Sequence, residues 1–217
     1  MPDYATLRAN MVATQILANG VTEERILEAF RAVPREAFVP AARRAIAYAE
    51  APVEIVPGRF LLSARCLAKL VELADIRPED TVLDIGCATG YSAHVVAQLA
   101  KRVTGLEEDA ALVRVASDMQ HSRQVANVTI VQGALAQGYR GGAPYDVILI
   151  EGGVEVVPES LLAQLTQGGR LVAMYRRDAQ AQAVIFLNED GRIGRRLDFD
   201  DAAPLLPGFR QPAGFVF

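Results

Sequence analysis

The stretch "VLDIGCATGYSA", residues 82 to 93, constrains the fold of this chain more than any other segment. An apolar run meets Asp84 and then Gly86, and a helical pattern opens directly after Gly90. A strand that turns this sharply into a helix needs the backbone freedom of glycine, and small residues there let a ligand approach the main chain. The same strand–helix character repeats downstream. "TVLDIG", "RVTGLE", "NVTIVQG", "YDVILIEGG" and "RLVAMY" read as short strands, with helices predicted over 91–100, 110–124 and 158–165. Such alternation predicts an α/β fold with a mostly parallel sheet covered on both faces. "AVIFLNEDGRIGRRLDF" predicts a hairpin turning at Asp190-Gly191, which adds antiparallel strands at one edge.

The N-terminal part is different in kind. Residues 5–19 are helically periodic and stop at Gly20, a suitable C-cap. "VTEERILEAFRAV" follows, with Thr22 as the expected N-cap and Ile26, Leu27, Phe30 and Val33 on one face. "PREAFVP" breaks the pattern, and 67–74 is a further helix. We therefore expect an N-terminal helical and substrate-loop segment over 1–78 joined to a ligand-binding α/β unit over 79–217, together one compact body. The tail "PLLPGFRQPAGFVF" is rich in Pro and Gly; docking on the domain and docking on a partner chain both stay open.

Composition narrows the function. Lys and Arg number 22 against 26 Asp and Glu, a net charge of −4 that offers nucleic acid no overall positive field. Arg176-Arg177 and Arg192, Arg195 and Arg196 are local basic spots, read as solvated faces. The absence of a long apolar run argues against a membrane helix, and Arg8 and Asn10 interrupt any secretory pattern at the N-terminus. Cys66 and Cys87 form neither a framework nor a metal spacing, so buried free thiols and a cytoplasmic setting are expected. His94 and His121 are isolated, and no metal is expected.

The chemistry gathers around the glycine turn. Glu107 ends the next strand, seventeen residues after Gly90. That is close to the roughly 20-residue spacing at which an acid reaches the ribose hydroxyls of a bound nucleoside. A carboxylate accepts from both vicinal hydroxyls at once. Gly86, Cys87, Ala88 and Gly90 form the loop itself, with Ala88 where a glycine is more usual. The loop lacks the Lys-Ser or Lys-Thr ending of a triphosphate cradle. Asp84 discriminates further: a carboxylate repels a pyrophosphate and attracts the cationic amino-acid end of S-adenosylmethionine.

"MVATQILANGV", "VPREAFVP", "AYAEAPVEI", "VLDIGCATGYSA", "LEED", "NVTIVQG", "APYDVILIEGG" and "LLAQLTQGGRLV" stand in the order and spacing of the protein-L-isoaspartate (D-aspartate) O-methyltransferases. The chain resembles that family from about Asn10 to Gly191, most diagnostically at "VPREAFVP". The resemblance implies a Rossmann-like, S-adenosylmethionine-dependent, cytoplasmic methyltransferase. Its partner would be a peptide or protein carboxylate, the isoaspartyl group, and its role protein repair, with S-adenosylhomocysteine as product. It also implies that Gly133, Ala134 and Leu135 flank the adenine, at a place where the family often carries an acid. Glu151 is an added acid at the end of the fourth strand, read equally as facing the ligand or as capping a loop.

The family's substrate loop carries Thr and Ser hydroxyls at the reacting carboxylate. In this chain "GRFLLSA", residues 58–64, falls there, with Phe60 in the Thr place and Leu62 in the Ser place. Arg59, Ser63 and Arg65 are the alternative anchors, since arginine forks onto a carboxylate. Three readings stay open: an isoaspartyl methyltransferase with a different grip, a methyltransferase with another acceptor, and a non-catalytic binding or scaffold relative.

Overall fold

The computed structural model of the chain describes residues 2–176 and 181–211. Arg177 and the terminal aromatics Phe215 and Phe217 lie outside them.

Helix α1 (Tyr4–Met11) begins at Asp3, whose carboxylate accepts from the Ala5 and Thr6 N–H groups. It continues through a wider turn over Val12–Ile16 and a tighter one over Leu17–Asn19, and stops at Gly20, at φ +94°. Helix α2 (Glu24–Ala32) buries Ile26, Leu27, Ala29 and Phe30 along one side. Its N-cap is Glu23 and makes no side-chain cap bond, so Thr22 does not cap it as the sequence led us to expect. The chain enters the helix one residue later than a Thr22 cap implies.

Strands β1 (Val53–Val56) and β2 (Arg59–Leu61) form an antiparallel hairpin of their own, separate from the main sheet. Gly58 makes its turn at φ +77°. Helix α3 (Ala64–Ala74) then starts at Ser63, whose Oγ accepts from the Cys66 N–H at 3.1 Å.

The main sheet follows the predicted alternation: β3 (Thr81–Ile85), α4 (Tyr91–Val96), β4 (Arg102–Glu107), α5 (Ala110–Ser122) and β5 (Val128–Gln132). Next come β6 (Tyr145–Val154), the short α6 (Glu159–Leu162), and β7 (Leu165–Arg176), β8 (Ala181–Glu189) and β9 (Arg192–Asp201). Spatial order is β5-β4-β3-β6-β7-β8-β9. The first five are mutually parallel, and β8 and β9 run antiparallel at the edge. Asp190 and Gly191 both take positive φ (+52° and +79°), the twist that a two-residue hairpin turn requires.

Chain direction across the sheet reverses between β3 and β6, and in open α/β sheets the ligand crevice opens at such a reversal, beyond the strands' carboxyl ends. Register fixes which residues meet there. Ile85 pairs with Leu106 on one side and Ile150 on the other, so Gly86, Glu107 and Glu151 emerge side by side. One buried cluster joins α2, α3 and α4 to this sheet, including Phe30, Leu62, Leu67, Val82 and Val147. A second, around Ile85, Leu106, Ile148 and Leu161, covers the opposite face and takes in Leu206 and Phe209 of the C-terminal segment.

Candidate active site

The turn between β3 and α4 is built as its glycines suggest. Gly86 and Gly90 hold φ of +80° and +92°. Ala88 is also left-handed, at +50°, a conformation a side chain tolerates poorly and a glycine freely. Gly86 and Cys87 both donate to the Leu106 carbonyl, at 2.8 and 3.3 Å, which seats the turn on the end of β4. Thr89 ties it to the N-terminal layer through a 2.6 Å bond from Oγ1 to the Phe38 carbonyl.

Glu107 sits beneath this turn. Its Oε2 accepts from the Ala88 N–H at 2.9 Å, and its Oε1 from the N–H groups of Glu108 and Asp109 at 2.9 and 3.1 Å. The side chain is fully buried. Its remaining partner is Arg59 of β2, whose Nη1 and Nη2 each donate to one carboxylate oxygen at 2.7 Å. Arg59 Nη2 also donates to the Gly86 carbonyl at 3.2 Å.

Two further carboxyls lie buried at the same strand ends. Asp84 accepts from Ser92 Oγ at 2.7 Å through Oδ2, while its Oδ1 has no partner. Burial pushes its carboxyl up to about 7; the Ser92 bond opposes this and the Glu107 charge adds to it. Glu151 is 6% exposed. Its Oε1 is unpartnered, and burial, with the neighbouring Asp84 charge, holds its carboxyl well above the usual range. Arg35 opposes that rise. After β5, where the resemblance implied an adenine site, Gly133 donates its N–H to the Glu107 carbonyl at 3.0 Å, Ala134 is exposed, and Leu135 is buried in the second core cluster.

The anchors considered for a substrate carboxylate are all engaged. Ser63 caps α3, Arg65 pairs with Asp201 at 3.0 Å, and Arg59 holds Glu107. Phe60 is half-buried and Leu62 is 1% exposed, so neither place carries a polar group toward a substrate.

Sequence reasoning missed Arg35, Ser92 and Leu206. Arg35 is 1% exposed, lies over the Tyr91 ring at 4.9 Å, and donates from Nη2 to the Leu62 carbonyl. Its position inside "VPREAFVP" was the available signal. Ser92 stands eight residues beyond Asp84 and just inside α4, a spacing that brings it back over the strand end. Leu206 had no local signal.

S-adenosylmethionine needs a loop open to close approach, an acceptor for a nucleoside diol and free carboxyl oxygens to accept from an ammonium. The positive-φ Gly86 and Gly90, Glu107, and the unpartnered oxygens of Asp84 and Glu151 fit those needs in kind.

A family model described as protein-L-isoaspartate(D-aspartate) O-methyltransferase matches residues 7–197. A Rhodopseudomonas palustris protein-L-isoaspartate O-methyltransferase is 38% identical over 207 residues, covering 93% of this chain and 95% of its own. A Koribacter versatilis protein of the same name is 33% identical over 204 residues, covering 94% and 92%. One solved protein-L-isoaspartate O-methyltransferase structure matches with a TM-score of 0.82 at 23% identity, over 93% of this chain and 66% of that one. A Plasmodium falciparum structure in complex with S-adenosyl-L-homocysteine matches at 0.78 and 19% identity, over 95% and 99%. At those identities the structures speak for the fold. The family match and the two relatives decide the rest: this chain belongs to the protein-L-isoaspartate(D-aspartate) O-methyltransferase family.

Proposed function

We propose that the protein is an S-adenosylmethionine-dependent O-methyltransferase that esterifies the side-chain-derived carboxylate of isoaspartyl residues in peptides and proteins. One observation carries the reading: Glu107 meets the Ala88 N–H at 2.9 Å, so the acid ending β4 underlies the glycine turn after β3. The bound cofactor supplies an electrophilic methyl group. The protein's own task is to hold the acceptor carboxylate in line and keep water out, which is catalysis by positioning and desolvation. Glu107 and the 86–90 turn would hold the nucleoside; Asp84 and Glu151 would face the ammonium. The β1–β2 hairpin and Leu62 form the wall on the acceptor side. Two free, buried cysteines are in keeping with a reducing, cytoplasmic setting. Among the described residues no helix is long and apolar enough to cross a membrane.

The test is methyl transfer from S-adenosylmethionine to an isoaspartyl peptide, set against its normal aspartyl twin. Transfer to the isoaspartyl peptide alone is expected. The absence of hydroxyls at Phe60 and Leu62 favours a second reading, a less polar acceptor. That reading gains if S-adenosylhomocysteine binds and neither peptide is methylated.

A further inference from the structure

The place at which a nucleoside diol would meet Glu107 is taken by the protein itself. Arg59 forks onto both carboxylate oxygens at 2.7 Å, with its side chain 6% exposed and that of Glu107 fully buried. Together with the N–H groups of Ala88, Glu108 and Asp109, five donors converge on this one carboxylate. A carboxylate has about four lone-pair sites, so two hydroxyls cannot join this set without expelling a member. The three backbone donors are fixed by the turn and by the start of α5, whereas Arg59 is a side chain on a small hairpin.

That hairpin is held by side chains: Val53, Ile55 and Leu61 are buried in the first core cluster. β1 and β2 pair with each other and with no strand of the main sheet. A two-stranded hairpin is marginal by itself, so its place depends on what it packs against. Its tip at Pro57-Gly58 is exposed, with nothing within 4 Å of where a Cβ on Gly58 would stand. A second element closes the same turn. The Leu206 methyl carbons lie 3.0 Å from where a Cβ on Gly86 would stand, and the segment carrying it is tied to β6 by bonds between Gly153 and both Pro204 and Leu206.

We propose that Arg59 is a built-in competitor for the nucleoside diol and thereby sets cofactor affinity, so that cofactor entry and release of the β1–β2 hairpin are one event. The proposal rests on the S-adenosylmethionine reading above and adds an order to it. The segment that matches the family's substrate loop is the one cofactor binding displaces, so the acceptor wall takes its working position only after the cofactor is seated. A buried bidentate ion pair is a strong internal ligand, and the protein binds cofactor only from the fraction in which that pair is open.

Calorimetry with S-adenosylhomocysteine on the wild type and on Arg59→Gln tests this. Removing the competitor removes the penalty of the closed fraction, so the variant should bind roughly tenfold tighter or better. Equal or weaker binding by a folded Arg59→Gln overturns the competitor while leaving the cofactor reading intact. Failure of both proteins to bind at millimolar ligand overturns both. If Arg59→Gln does not fold, hydrogen exchange on the wild type decides. Saturating S-adenosylhomocysteine should speed exchange across 53–61, the reverse of ordinary ligand protection; slowed or unchanged exchange there overturns the proposal.

Discussion

Arg35 reaches from the "VPREAFVP" segment to the loop between β2 and α3 and donates from Nη2 to the Leu62 carbonyl at 2.6 Å. Its Nε donates to the Ala47 carbonyl at 2.7 Å, so one buried guanidinium binds two loops that share no strand or helix. The most diagnostic stretch of the sequence thus acts on the loop that departs most from the family.

Replacing Arg35 with Ala should be costly. Two carbonyls are left without their donor, at about 1–3 kcal/mol each if they stay dry, and packing over Tyr91 is lost. We expect a loss of about 3 kcal/mol or more in urea unfolding, and about half of that for Arg35→Lys. An Ala variant as stable as the wild type would show that the loop is held by other means.

Restoring the loop hydroxyls should split into two unequal outcomes. Phe60 is half-buried and tolerates exchange, whereas Leu62 is 1% exposed and belongs to the first core cluster. Leu62→Ser should cost about 2–4 kcal/mol by loss of core packing. Phe60→Thr should remain folded and raise kcat/KM on an isoaspartyl peptide by about tenfold, the worth of one hydrogen bond to a charged group. No gain with Phe60→Thr would mean that this place does not face the acceptor.

The pair Arg170–Asp80 should behave as a fold-holding bond. Arg170 Nη2 meets Asp80 Oδ2 at 2.7 Å, its Nε donates to the Ala74 carbonyl at 2.5 Å, and Asp80 also accepts from the Arg77 N–H. Together these fasten the end of α3 to the start of β3 and the middle of β7. Asp80→Ala strands a buried guanidinium and should cost about 3–5 kcal/mol. Denaturant melts would expose the error if the change proved neutral.

Asp84 should make stability fall as pH rises. Burial lifts its carboxyl from 3.8 to about 7, so the fold keeps a proton that the unfolded chain has already lost. The stability this proton supplies is complete below about pH 4 and is lost as pH climbs through about 7. Between pH 5 and 8 the wild type should lose about 2–3 kcal/mol relative to Asp84→Asn. Parallel pH profiles of the two proteins would mean that Asp84 is ionised in the fold throughout.

Much of the architecture was legible because burial is encoded locally. The apolar runs ending at Ile85, Glu107, Gln132 and Val154, the Gly86 turn and the Asp190-Gly191 hairpin are each decided by side-chain period and backbone freedom within a few residues. Thr22 shows the limit of even local rules, since the start of a helix shifts by a residue when packing favours it. The site was legible as a list and not as an arrangement. The residues that chemistry singles out, Asp84, Gly86, Glu107 and Glu151, do meet, because strand register carries them to the carboxyl ends of neighbouring strands. What occupies Glu107 could not be read from the chain. Arg59 lies 48 residues away, on a hairpin that pairs with no strand of the sheet, and Leu206 comes from near the other end of the chain. Sequence by itself determined the strands, turns and charges, because those follow from neighbours along the chain. The tertiary structure decided which charges are spent on each other. A buried ion pair joins whatever loops the topology brings together, and no local pattern records that meeting.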